Sequence, residues 1–363
     1  MIKLLVADDS ALMRKLLEGI FLAQGDFEIM FARNGTEALE LVRAFKPDVV
    51  TLDVQMPGMD GLSCLARIML ESPRPVVMIS SLTEAGADAT LEAMDLGAVD
   101  FIAKPSGAIS LEIDALEPIV VAKIRNAAKV RINPALRLRD RIRHQFETAP
   151  GPMKRPRRSD KGTAEGARGP GLVLIGTSTG GPAALDIVLP QLPADFPWPV
   201  VVAQHMPAAF TSSFAKRLDR YCGLRVVEVG RPTPLEPGTV YIGRGDADVI
   251  VGKRAKVIVA MPAPAKPDYP WHPSVERMVD TAMDCYDAQR LLGVMLTGMG
   301  NDGAEAMSRL KAAGGHTIAQ SEDSAVVWGM PGELVKAGGA DEVAAIEKIA
   351  GLIMEAVAVD ASR

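Results

Sequence analysis

Hydrophobic and polar positions fall into two alternating rhythms along this chain. Residues 4–7 (Leu-Leu-Val-Ala) form an unbroken apolar run, and residues 10–22 then carry apolar side chains at helical spacing. Short runs recur at 27–32, 48–52, 76–79 and 101–103, with a further helical pattern at 36–44. Strands of this length separated by amphipathic helices predict a (βα)5 unit with a parallel sheet covered on both faces, over residues 1–126. The rhythm lapses and then resumes. Runs at 173–176, 200–203, 292–296 and 317–319 predict a second parallel sheet over residues 170–363, with helices at 207–221, 274–287, 304–313 and 341–357. Residues 239–242, 249–251 and 257–259 read as antiparallel hairpin additions to it. The predicted fold class is α/β throughout, with two doubly wound domains.

Composition narrows the classes open to such a chain. Its 363 residues, 48% hydrophobic and 23% charged, suit a globular protein of two or three domains. No apolar run approaches the roughly 18 residues of a membrane span, and Asp8 and Asp9 interrupt the start before a signal-peptide core can form, so a cytoplasmic protein with no membrane insertion is expected. Cys64, Cys222 and Cys285 lack the spacing of a disulfide framework or a zinc site. Only 4% of residues are aromatic, which disfavours stacking platforms for nucleic acid. Residues 127–169 contain Pro150, Pro152 and Pro156, and the stretch 137–168 within them carries a local charge of +6 against −11 for the rest of the chain. With one aromatic, Phe146, and no helix-turn-helix, this stretch reads as a basic linker rather than a nucleic-acid module.

Ligands of open parallel sheets bind beyond the carboxyl ends of the strands, which is where the first domain collects its charge. Asp8 and Asp9 follow the first strand, Asp53 the third, Ser80 the fourth and Lys104 the fifth. Converging carboxylates repel unless a hard cation such as Mg²⁺ lies among them. Taken singly, Asp9 and Ser10 are equally good helix N-caps. As a set, with Met56-Pro57-Gly58-Met59-Asp60-Gly61 after the third strand and Lys104-Pro105 after the fifth, they resemble a two-component receiver domain. The resemblance implies that Asp53 accepts a phosphoryl group and that Asp8, Asp9 and Asp53 hold Mg²⁺. It further implies that Lys104 contacts the phosphoryl oxygens, that Ser80 and Phe101 form the switch, and that a cis bond precedes Pro105. Gln55 stands where an acidic residue is expected in this subfamily, leaving the lifetime of the phosphorylated state open.

In the second domain, Ile175-Gly176-Thr177-Ser178-Thr179-Gly180-Gly181-Pro182 reads as strand, tight turn and helix, with Ser178 at the strand tip. Such a turn suits a nucleophile, a phosphate cradle or a plain connection. His205 and Asp302 also follow predicted parallel strands, so all three can meet at one sheet edge as nucleophile, base and orienting acid. His272 is a rival base, although the Trp271-His272-Pro273 loop is better suited to lining a substrate cleft. Asp302 is also placed to cap a helix beginning at Ala304.

Residues 175–182, Gln204-His205-Met206-Pro207, His272-Pro273-Ser274-Val275 and the run Thr297-Gly298-Met299-Gly300-Asn301-Asp302-Gly303-Ala304 together resemble the CheB family of chemotaxis protein-glutamate methylesterases, whose members carry an N-terminal receiver. Only the linker is left unaligned. The resemblance implies a Ser178–His205–Asp302 triad, an oxyanion donor at the Met299 backbone, and Thr179 beside the triad as an orienting residue. Thr177 departs mildly from the small residue expected there. It further implies hydrolysis of glutamate γ-methyl esters and deamidation of glutamines on chemoreceptors, no cofactor for that chemistry, and a chemotaxis histidine kinase as phosphodonor. The competing reading is a receiver fused to a nucleotide-binding or DNA-binding output module; it lacks an acidic residue about 20 positions beyond the glycines and a basic output domain.

Overall fold

The computed structural model describes residues 1–104, 109–130 and 170–361. The chain divides into two compact units, Met1–Ala149 and Pro150–Arg363. Pro105, with its expected cis bond, and most of the basic linker lie outside the described residues.

The first unit is the predicted (βα)5 fold. Its strands are β1 (Ile2–Ala7), β2 (Phe27–Ala32), β3 (Val49–Asp53), β4 (Val76–Ser80) and β5 (Asp100–Ala103), all parallel in the order β2-β1-β3-β4-β5. The helices are α1 (Ala11–Gln24), α2 (Gly35–Phe45), α3 (Gly61–Glu71), α4 (Glu84–Leu96) and α5 (Ile109–Ala127). The first four open on side-chain caps: Ser10, Asn34, Asp60 and Thr83 each accept a backbone N–H from the first turn, which sets where strand gives way to helix. β3 and β4 are wholly buried, as strands covered by helices on both sides must be.

The second unit is built on seven parallel strands ordered β15-β14-β13-β6-β7-β10-β8. Its centre is β6 (Leu172–Thr177), β7 (Val200–Gln204) and β13 (Leu291–Met295), flanked by β14 (His316–Gln320) and β15 (Glu342–Ala344) on one side and β10 (Thr239–Gly243) and β8 (Arg225–Val229) on the other. β9 (Thr233–Pro234), β11 (Ala247–Arg254) and β12 (Val257–Pro264) form a separate antiparallel sheet. Helices α6 (Gly181–Val188), α7 (Ala208–Tyr221), α8 (Val275–Met283), α9 (Ala304–Ala312), α10 (Met330–Lys336) and α11 (Ile346–Ala361) cover the sheets.

Three expectations need correction. Residues 239–242 are not part of the antiparallel addition: β10 pairs parallel with β7 and β8, and all five of its residues are buried. A short apolar run carries no record of its partner, so periodicity could not distinguish the two placements. The helix expected over 341–357 begins only at Ile346, because Glu342–Ala344 pairs as an edge strand with β14. The helix expected over 274–287 ends at Met283.

Candidate active site and receiver site

Each central strand of the second unit ends in a hydroxyl or amide that ties the strand tips together. Thr177 Oγ1 donates to Thr297 O (2.8 Å), Thr297 Oγ1 donates to Thr179 O (2.9 Å), and Thr297 N donates to Gln320 Oε1 (2.8 Å). Thr177 therefore has a structural reason to differ from a smaller residue. Beyond it, Gly181 N donates to Ser178 O (2.8 Å), closing a four-residue turn. Gly180, at φ 78° and ψ −4°, takes the left-handed position such a turn requires. Ser178 and Thr179 are thus held at the tip of β6, both buried. Gln204, at the tip of β7, donates Nε2 to Ser178 O (2.9 Å) and to His205 O (3.0 Å). One buried amide so links the backbones of the serine and the histidine, a function its place in a recognised motif did not reveal.

His205 Nε2 and Asp302 Oδ2 are 2.8 Å apart. Asp302 does not cap the helix at Ala304, whose N-cap is Gly303 with no side-chain bond. It sits instead at the start of α8, where Val275 N (2.7 Å) donates to Oδ2, and Glu276 N (3.0 Å) and Ser274 Oγ (3.0 Å) donate to Oδ1. Burial opposes its charge, yet the His205 hydrogen bond and the Glu276 and Val275 amides prevail and hold the carboxyl below the usual carboxylate range. An ionised Asp302 accepts from Nε2–H, which makes Nδ1 the basic nitrogen; Nδ1 is buried and has no hydrogen-bond partner among the described residues. Trp271 is stacked nearly parallel to the ring, centroids 5.7 Å apart and planes 11° apart. The sequence put this loop at the cleft but gave no sign of the stack.

His272 does not act as a second base on Ser178 in this arrangement. Its Nδ1 lies 2.8 Å from Asp248 Oδ1, which also accepts from Ser274 N (2.9 Å), while Arg277 Nη1 reaches Oδ2 (2.7 Å). Asp248 is buried, so this cluster anchors the loop that carries Trp271. Met299 is buried, and its N–H donates to no acceptor among the described residues, which leaves it available to a ligand oxygen.

At the C-terminal edge of the first unit, Lys104 Nζ lies 2.7 Å from Asp53 Oδ2 and 3.1 Å from Asp8 Oδ2. One oxygen from each of Asp8, Asp9 and Asp53 falls within 4.8 Å of the others. Burial, reinforced by the charge of Asp8, pushes the Asp53 carboxyl up against the pull of Lys104. For Lys104, burial acts downward, but hydrogen bonding to Asp53 and the charges of both acids outweigh it and raise the ammonium's value. Ser80 is not turned toward Asp53: its hydroxyl donates to Gly86 O (3.0 Å) in the first turn of α4. Phe101 is packed inward with Lys123 Nζ 5.3 Å above its ring.

A serine, a histidine and a carboxylate thus stand at neighbouring strand tips of a parallel α/β sheet, beside a backbone N–H that no acceptor among the described residues takes up, an arrangement of the kind serine hydrolases use. Comparison with known proteins identifies the family. Residues 4–114 match the response regulator receiver domain and residues 173–353 the CheB methylesterase. The chain is 67% identical to a protein-glutamate methylesterase/protein-glutamine glutaminase 2 of Rhodopseudomonas palustris, over 98% of both chains. It is 54% identical to a protein-glutamate methylesterase/protein-glutamine glutaminase 3 of Rhodospirillum rubrum, over 97% of this chain and 95% of that one. The crystal structure of the Thermotoga maritima CheB methylesterase catalytic domain superposes with a TM-score of 0.50 and 37% identity, covering 52% of this chain and 99% of that one. The chain belongs to the CheB family of receiver-bearing methylesterases.

Proposed function

We propose that this chain hydrolyses glutamate γ-methyl esters on methyl-accepting chemoreceptors, and deamidates receptor glutamines, with Ser178 as nucleophile, His205 as base and Asp302 as its orienting acid. The enzyme class follows from the family; the observation that carries the residue assignment is the 2.8 Å contact between His205 Nε2 and Asp302 Oδ2 beside the rigid turn that bears Ser178. Ser178 Oγ attacks the ester carbonyl while its proton passes to His205 Nδ1, the reverse of the nitrogen assignment in the chymotrypsin triad. The developing oxyanion is met by the Met299 N–H, a kind of donor whose removal typically costs roughly 2.7–4 kcal/mol. His205 then returns the proton to the departing methoxide, releasing methanol, or to the departing amine in deamidation, releasing ammonia. Water, activated by the same nitrogen, frees the acid from Ser178.

The receiver regulates this chemistry through phosphorylation of Asp53 by a chemotaxis histidine kinase. Asp8, Asp9 and Asp53 supply only oxygen donors, and Asp8 Oδ2 is buried with no hydrogen-bond partner among the described residues beyond the Lys104 ion pair, a set that fits Mg²⁺. The ion when bound would neutralise charge on the incoming phosphoryl group. Lys104 would pair with a phosphoryl oxygen, and Ser80 would exchange Gly86 O for another. Among the described residues no helix is long and apolar enough to cross a membrane; we place the enzyme in the cytoplasm because its receptor substrates present their methylated region there. The domain division is 1–126, 127–169 and 170–363.

Methanol release from methylated chemoreceptor membranes tests the reading. Wild type should be active and Ser178→Ala inactive; full activity in Ser178→Ala would place the nucleophile elsewhere.

A further inference from the structure

We propose that Trp271 is a positioning residue for His205, locking the plane of the imidazole and stabilising it once it carries the serine proton. The inference rests on the assignment of His205 as the base.

A single hydrogen bond fixes one axis and no more. The contact from Nε2 to Asp302 leaves the ring free to turn about the N···O line, and any such turn changes where Nδ1 points. The indole, lying 11° from parallel at a centroid distance of 5.7 Å, flanks one face of the ring and restricts that freedom. Nδ1 is buried and has no partner among the described residues. When it takes a proton the ring becomes a cation resting on the face of a tryptophan, the best of the aromatic partners for a positive charge.

The indole is itself held on two sides. On one, the next residue, His272, is pinned to buried Asp248, which Ser274 N and Arg277 also engage. On the other lies the loop that carries Met299. Gly300, at φ 88°, approaches so closely that a Cβ there would stand 3.3 Å from Trp271 Nε1. Trp271 therefore sits between the base and the loop bearing the oxyanion donor, and its plane registers the two.

The test uses full-length protein and two readouts. In methanol release from methylated receptor membranes, Trp271→Leu should lower kcat by about 5- to 30-fold with KM within about twofold, and Trp271→Phe should restore most of the loss. The second readout is the rate at which a small serine-directed sulfonyl fluoride labels Ser178. In that step the Oγ–S bond forms, fluoride leaves and the proton goes to His205 Nδ1, without any receptor contact. Labelling should slow in the same order: wild type, Phe, Leu. If Trp271→Leu melts below the assay temperature, Trp271→Met takes its place. A leucine or methionine variant that is folded and labels at the wild-type rate overturns the proposal, as does an effect confined to KM, which would make the indole a substrate contact. Labelling or turnover persisting in Ser178→Ala would instead overturn the assignment of the site, so the two failures are distinct.

Discussion

At the scale of single residues, two buried carboxylates are shifted in opposite directions, and each shift has a measurable sign. Asp302 is held below the usual carboxylate range against its burial by His205 and by amides at the start of α8. A folded-state value below the unfolded one, about 3.9, means stability that is present above that pH and is lost as the pH falls through the folded value. Asp302→Asn should therefore melt earlier than wild type at pH 7, the difference closing as thermal scans are carried down to about pH 3. Its kcat should fall by about 10³- to 10⁴-fold, because a neutral amide no longer fixes which nitrogen carries the proton. Asp53 is pushed up, first by burial and then by the charge of Asp8, against the pull of Lys104. Its ionised form costs the receiver stability at neutral pH, and that cost fades as the pH falls through the raised value toward the unfolded one. Asp53→Asn should raise the receiver's melting temperature at pH 7, with the gain gone by about pH 4. Added Mg²⁺ should stabilise wild type more than this variant, since binding to the folded state adds to stability and the variant lacks one carboxylate.

At the scale of elements, the site is a set of strand tips braced against one another, and Gln204 is the clearest brace. Its amide nitrogen serves Ser178 O and His205 O at once, and Gly181 packs so tightly on it that a Cβ would lie 2.0 Å from Oε1. Because Gly181 N also serves Ser178 O, removing the amide orphans mainly the His205 carbonyl. Gln204→Leu should thus cost only about 1–3 kcal/mol in denaturant unfolding, whereas kcat should fall by about tenfold or more as the tips of β6 and β7 lose their common donor. The strand tips were legible in the sequence because a parallel strand buried on both faces is an unbroken apolar run, and the first polar residue after it marks its end. Asp8, Asp53 and Lys104 follow such runs directly, Ser178 and His205 stand one residue past the first polar position, and Asp302 is reached only through the motif that follows the run ending at Leu296. Partnership was not legible. Residues 239–242 belong to the main sheet, and β8, β9, β15 and α10 were missed, since short or edge elements carry little periodicity. Asp302 serves α8 rather than the helix that follows it, a choice made by packing between segments 27 residues apart. The Trp271 stack likewise depends on a contact across 66 positions of sequence.

At the scale of the whole molecule, the two units have separate sheets, each with its chemistry at the carboxyl ends of its own strands. Within its own unit each proposed site has its partners at hand: His205 lies 2.8 Å from Asp302, and Asp53 is paired with Lys104. Regulation must then act on a site that is already assembled, so phosphorylation of Asp53 should change how much of the enzyme is competent rather than create its machinery. That separates the two classes of variant. With a small-molecule phosphodonor and Mg²⁺, methanol release by wild type should rise above its basal rate. Asp53→Ala should keep the basal rate and lose the rise, because its triad is untouched and only the phosphoryl acceptor is gone. Lys104→Met should behave similarly, retaining basal turnover while responding weakly, because the cation that meets the phosphoryl oxygens is missing. Ser178→Ala should be inactive in both conditions while its Asp53 is still phosphorylated by the donor. If Asp53→Ala lost basal activity while remaining folded, the receiver would be contributing to the catalytic site itself, and the independence of the two units would be wrong.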